Sequence, residues 1–224
     1  MLQIYLKQGR EVPVRRGHPW IFSGAIEKTQ GDAATAGVVD VFDCTKSWIA
    51  RGLYNPASQI RVRILTSINE PIDEDFFHRR IGHALALREK YVAPNANAYR
   101  LINGEGDFLP GLVVDRYADF VVCQFMTAGM EVHKPIITDI LMQWLQGGGP
   151  NKGVFEKSDG RVREEEGLGS SVGVLAGQAP PDFIEIQETT FKYLVDVRRG
   201  QKTGFFLDQR DSRRFLKGLV RDAT

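Results

Sequence analysis

Hydrophobic and polar positions follow two regimes along this chain. From the start to about residue 72 the pattern alternates. "GVVDVFD", "WIARGLY" and "IRVRIL" set apolar against small or polar residues at period two, as half-buried strands do. The turn-forming "CTKS" and an Asn-Pro pair separate them. Short strands at this spacing predict a small β-barrel or sandwich.

From residue 73 the period lengthens. In "DEDFFHRRIGHALALREKYV" the residues Phe77, Ile81, Leu85 and Arg88 recur at helical spacing behind Asp73 and Glu74, either of which can cap a helix. "AYRLINGEGDFLPGLVVDRYADFVVCQFMT" reads as three strands joined at Pro110-Gly111 and Ala118-Asp119. "EVHKPIITDILMQWLQ" is an amphipathic helix closed by Gly147, Gly148 and Gly149 ahead of Pro150. "KGVFEKS" is a short strand, and "GLGSSVGVLAGQAPPD" a loop or at most a weak hairpin. "FIEIQE" and "FKYLVDV" make a hairpin about Thr189 and Thr190. "DQRDSRRFLKGLV" has helix character with Asp208 as its N-cap. The chain therefore divides into residues 1–72, a β domain, residues 73–197, an α+β domain, and residues 198–224, a stub.

Composition narrows the chemistry. Hydrophobic residues at 42% and charged residues at 25% describe an ordinary globular chain with a substantial core. No apolar run approaches the roughly 18 residues that span a bilayer. "MLQIYLKQGREVPVRRGHPW" lacks the apolar stretch of a signal peptide, so a cytoplasmic protein without a membrane partner is expected. Cys44 and Cys123 make no CxxC pair, and the four histidines show no HExxH spacing, so no metal site is expected. The net charge of +1 excludes a uniformly basic coat, yet basic residues cluster at Arg15, Arg16 and His18, at Arg61 and Arg63, at Arg79 and Arg80, and from Arg198 to Arg214.

Several patterns fail as motifs. "GEGDFL" puts Leu109 where GxGxxG needs its third glycine, and "GQKTG" lacks the glycine spacing of a phosphate loop. Two constellations remain. On "IRVRIL" alternation places Arg61 and Arg63 on one strand face about 7 Å apart, a spacing that suits successive phosphates and equally suits plain surface arginines. In "RRGHPWIF" the imidazole of His18 and the indole of Trp20 follow two arginines. Such groups stack on unpaired bases, or Trp20 and Phe22 anchor the barrel core while the arginines are solvated. Asp115 and Arg116 are read as a surface pair and Asp107 as a turn residue. "RRGQKTGFFLDQRDSRRF" joins a strand to a helix start. There, backbone amides beside Gln209 and Arg210 form an anion site or simply an ordinary capped helix.

Read together, "RRGHPWIFSGAI", "WIARGLYNPASQIRVRIL", "YRLINGEGDFLPGLVVDRYADFVVCQ", "EKSDGRVREEEGL" and "LVDVRRGQKTGFFLDQRDSRRF" resemble the ribosomal RNA large subunit methyltransferase I family over nearly the whole chain. The resemblance implies an S-adenosylmethionine-dependent enzyme that makes 5-methylcytosine in large-subunit ribosomal RNA. It also implies a PUA-like RNA-binding barrel, a central α+β domain and a Rossmann-like methyltransferase domain, of which only the opening segment is expected here. By the "KTGFFLDQRDSR" match, Lys202, Thr203, Gly204, Phe206, Asp208, Gln209 and Arg210 border the cofactor or target base. Arg15, Arg16, His18, Trp20, Arg61 and Arg63 would contact RNA. The family's glycine-containing cofactor turn and catalytic cysteine match nothing here, so no catalytic residue is expected in these 224 residues. The chain is then either part of such an enzyme, inactive alone, or a free-standing RNA-docking module. The final helix, with Phe205, Phe206, Phe215 and Leu219, is expected to be loose, docked on the central domain, or engaged with a second copy as a homodimer.

Overall fold

The computed structural model describes residues 1–92, 96–145, 152–188 and 191–219, the side chain of Lys217 excepted. The alternating region folds into β1 (Leu2–Leu6), α1 (Glu11–Arg15), β2 (Trp20–Phe22), β3 (Ile26–Gln30), β4 (Gly37–Phe42), β5 (Trp48–Tyr54) and β6 (Ile60–Thr66). These strands form one sheet in the order β2-β6-β5-β4-β1-β3. Every ladder is antiparallel except β1–β4. Ile4, Leu6, Ile21, Val39, Val41 and Val62 pack into its own apolar core. Gly52 is required where β5 crosses β6, because a Cβ there would lie 2.3 Å from the Arg63 carbonyl oxygen.

The longer-period region builds a second unit. Asp73 caps α2 (Glu74–Tyr91), its side chain accepting from the Phe76 amide at 3.0 Å. There follow β7 (Ala98–Asn103), β8 (Leu112–Tyr117), β9 (Phe120–Phe125), α3 (Ala128–Val132), α4 (Lys134–Leu145), β10 (Gly153–Ser158), α5 (Arg161–Glu165) and β11 (Ser171–Gly177). The sheet order is β11-β10-β9-β8-β7, with only the β9–β10 ladder parallel, as the intervening helical crossover requires. Phe77, Ile81 and Leu85 of α2 and Ile137 and Leu141 of α4 cover one face, over Val121 and Cys123. The hairpin β12 (Ile184–Glu188) and β13 (Phe191–Val195) covers the other face, over Phe120, Val122 and Tyr117. Burial on both faces explains why β9 reads as an apolar run with Gln124 its one polar residue.

Residues 171–177 are a strand, against the expectation of a loop. This edge strand pairs with β10 through its backbone and buries none of its side chains fully, so its Gly and Ser content carried no apolar signal. Thr189, Thr190, Gly147, Gly148, Gly149 and Pro150 lie outside the described residues.

The two units share a packed seam. Leu53 of β5 joins the second unit's core, and a Cβ on Gly129 of α3 would come 2.5 Å from the Leu53 Cβ. Asn55 Nδ2 donates to both the backbone carbonyl and the carboxylate of Glu166, just after α5. After β13 the chain passes through a 3-10 turn, Leu207–Gln209, into α6 (Arg210–Leu219). Asp208 sits inside that turn rather than at an N-cap, and its carboxylate turns to Lys202.

Candidate functional site

Helix α1 ends in two exposed arginines, Arg15 and Arg16, because the buried Val14 on the opposite side fixes how the helix lies on the sheet. Arg15 Nη2 reaches Asp43 Oδ2 at 2.7 Å. The Thr45 hydroxyl and Ser47 amide, with Arg15 after them, hold the Asp43 carboxyl down to about 2 against the opposing effect of burial. His18 is exposed beside them, and its Nδ1 lies 3.2 Å from the Trp20 amide that donates to it.

The rest of the expected RNA surface is placed differently. Trp20 is half-buried and its Nε1 donates to Glu105 Oε1 of the second unit at 2.8 Å, while Phe22 stands 48% exposed. Neither anchors the barrel core. Arg63 is buried, with Nη2 2.8 Å from Glu166 Oε1, so it closes the seam and cannot meet a phosphate. Arg61 is half-buried and reaches the Asn55 carbonyl at 3.4 Å. Alternation put both arginines on one face, as expected, but Glu166, just after α5, takes Arg63 there. Asp115 and Arg116 are not a surface pair either. Asp115 is 1% exposed and takes Arg100 Nε at 2.9 Å, while Arg116 lies over the rings of Tyr99 and Trp144. Asp107 serves its turn by accepting from the Asn103 amide, and also holds Arg88 in a two-pronged ion pair.

The "QKTGFFLDQR" segment is bolted to the central sheet by a buried hydrogen-bond chain. The Phe205 amide donates to Tyr117 Oη at 3.1 Å. Asp115 accepts from Arg100 through both carboxylate oxygens, and the Thr203 hydroxyl donates to it at 2.6 Å. Tyr117 must then donate to Thr203 at 2.8 Å. Burial foremost, with the Asp115 charge adding to it, pushes the Tyr117 phenol well above its ordinary range, which keeps it a neutral donor. Lys157 Nζ holds the Gly200 carbonyl, and Arg213 of α6 grips Glu188 at 2.8 and 2.6 Å while lying 4.6 Å over Phe205.

This anchoring sorts the expected cofactor residues. Thr203 is fully buried, so it positions the segment and does not line a pocket. Lys202, held at φ 55°, turns outward and pairs with Asp208 at 2.9 Å, its ammonium 4.7 Å over Phe206. The Lys202 hydrogen bond foremost holds the Asp208 carboxyl below its usual range. Gly204 and Phe206 are half-buried, Gln209 is exposed, and Arg210 is half-buried beside a small cavity with Glu188 and Arg214. Sequence reasoning did not single out Tyr117 or Glu188, and it read Asp115 only as a surface residue and Arg213 only as one of a basic cluster, because their partners are remote in the chain. Among the described residues no cluster suits a metal ion, and no helix is long and apolar enough to cross a membrane.

These features define a class: a PUA-like domain joined to a mixed α/β unit. A family profile described as PUA-like domain matches residues 4–67. Two solved structures share the fold at 22% identity, each matched over 96% of this chain. One is a Streptococcus mutans protein provisionally described as a SAM-dependent methyltransferase, with TM-score 0.78 over 54% of that chain. The other is a protein provisionally described as a methyltransferase and solved with SAH, with TM-score 0.79 over 53%. Curated relatives carry one name, Ribosomal RNA large subunit methyltransferase I. Those from Vibrio campbellii and Photobacterium profundum are 45% and 46% identical over 98% and 94% of this chain. The Aliivibrio fischeri relative is 43% identical over 99%. The chain spans about half the length of these relatives, between 53% and 55%.

Proposed function

We propose that this chain is the RNA-holding part of an S-adenosylmethionine-dependent methyltransferase that makes 5-methylcytosine in large-subunit ribosomal RNA, a cytoplasmic task. The observation that carries the reading is identity of 43–46% across most of the chain to relatives bearing that enzyme's name. In such chemistry a thiolate adds to C6 of cytosine, C5 takes the methyl group, and a base removes the C5 proton.

Cys123 does not suit the nucleophile's part, and Cys44 does not match the position at which the resembled family carries its nucleophile. Cys123 is fully buried under α2 and α4, and burial pushes its thiol well above the usual range. Cys44 is exposed on the turn before β5, beside Lys46 and Asp43. The role left to these residues is grip and orientation. Arg15, Arg16 and His18 meet backbone phosphates. Lys202, Gly204, Phe206, Asp208, Gln209 and Arg210 form one wall for the methionine end of the cofactor. The donor set fits that group, since an exposed ammonium and an exposed carboxylate complement its carboxylate and amine. Bound there, S-adenosylmethionine would supply the activated methyl group.

Two measurements test this. Anisotropy titrations of a large-subunit rRNA fragment over a salt series should give a steep log–log slope that flattens by about 1.5–2 in the Arg15→Ala/Arg16→Ala double variant. An unchanged slope contradicts the assignment. Undermodified large-subunit RNA and tritiated S-adenosylmethionine should show no transfer with these 224 residues alone, and turnover would overturn the division of roles.

A further inference from the structure

Arg80 and Phe108 build a feature that the reading above leaves unused. Phe108 holds φ at 57°, a left-handed conformation that a bulky side chain rarely adopts, and its ring is 62% exposed. A strained backbone and an apolar ring in water both cost stability, so the surrounding structure must impose them. It does. Phe108 follows the 3-10 turn Gly104–Asp107, which is pinned by the Asp107 bonds from Arg88 at 2.5 and 2.7 Å and from the Asn103 amide at 2.6 Å. The Arg80 guanidinium lies 5.1 Å from the Phe108 ring centroid and 5.2 Å from that of buried Phe76, and it donates to the Leu65 carbonyl at 3.2 Å. A planar cation thus backs an outward-facing ring.

The ring borders a cavity of about 500 Å³ between barrel and central domain, walled also by Arg15, His18, Trp48 and Ile68. That volume falls within the range of small-molecule sites. Its wall contains no carboxylate. The neighbouring groove past Trp20, of about 760 Å³, has Glu105, Glu165 and Glu166 in its wall. Arg63 in the second wall offsets only Glu166, so that groove repels a polyanion more than the first does.

We propose that the first cavity takes one unpaired base of a bound RNA, stacked on Phe108, with its flanking phosphates against Arg15 and His18. This rests on the reading of the chain as RNA-binding and adds the place where a base is held. Stacking on an aromatic ring is tolerant of base identity and changes affinity by about 5- to 150-fold per base.

The test compares a labelled oligoadenylate with an abasic strand of equal length. Phe108→Gly removes the ring and relieves the left-handed strain, so its melting temperature should hold or rise. Its affinity for oligoadenylate should fall by about 5- to 150-fold with the salt slope unchanged, and its affinity for the abasic strand should stay the same. Phe108→Trp should restore binding, with indole fluorescence quenched on addition of oligoadenylate. Wild-type affinity in Phe108→Gly, or equal wild-type affinity for the two strands, overturns the stacking site alone. Failure of the wild-type chain to bind either strand overturns the RNA-binding reading and this inference with it.

Discussion

Thr203→Val isolates the contact that fixes the C-terminal segment on the sheet. Valine matches threonine in shape, so the substitution removes one hydroxyl and leaves the packing alone. Two bonds go with it: the one donated to buried Asp115 at 2.6 Å and the one accepted from Tyr117 at 2.8 Å. A hydrogen bond to a charged group contributes roughly 1.5–3 kcal/mol and a neutral one about 1 kcal/mol. Asp115 keeps both Arg100 bonds, and Tyr117 keeps the Phe205 amide, which bounds the loss from above. Near 2 kcal/mol is therefore expected, or about a 30-fold change in the opening equilibrium. Native-state hydrogen exchange reads this at the Phe205 amide, whose acceptor is Tyr117 Oη. Protection there should drop about 30-fold, whereas the amides of β9 should be nearly unaffected. A loss below threefold at Phe205 would refute the claim that this chain of bonds, rather than the apolar packing of Phe205, holds the segment.

Other consequences follow from particular pairs. Arg63→Ala leaves the buried Glu166 carboxylate without its cation and should destabilise the protein by roughly 3 kcal/mol in urea unfolding, while Arg61→Ala should cost under about 1 kcal/mol. Equal effects would contradict the placement of Arg63 at the seam. Arg213→Ala should lower exchange protection throughout 210–219 without changing the barrel's, since Arg213 ties α6 to Glu188 and to the Phe206 carbonyl. The Asp43 carboxyl, depressed to about 2, favours the folded state fully above its ordinary value near 4, and that contribution disappears as pH falls from 4 through 2. An acid-unfolding series should therefore show a shallower pH dependence in Asp43→Asn over that window, and identical profiles would contradict it.

Much of the architecture was legible because it is written locally. Asp73 and Glu74 marked the start of α2, where Asp73 is the cap, and the apolar run of β9 marked a strand. The same locality misled at Arg63. Period two correctly paired it with Arg61, but only the docking of α5, far along the chain, decides that this face meets Glu166 rather than solvent. Thr203 shows the same limit, since its acceptor Asp115 is 88 residues away. Phe108 was hidden for another reason. In "GEGDFLPG" nothing distinguishes a ring held outward by a left-handed turn from one that packs inward.

The most direct test of the account is photo-crosslinking of 4-thiouridine-substituted large-subunit ribosomal RNA to this chain, with the adducts mapped by mass spectrometry. Adducts should concentrate on the α1 end and the barrel seam, at His18, Trp48 and Phe108, with none on the carboxylate-walled groove at Glu105 and Glu165. Adducts confined to that groove or to the outer face of α4, or no adducts at all, would contradict it.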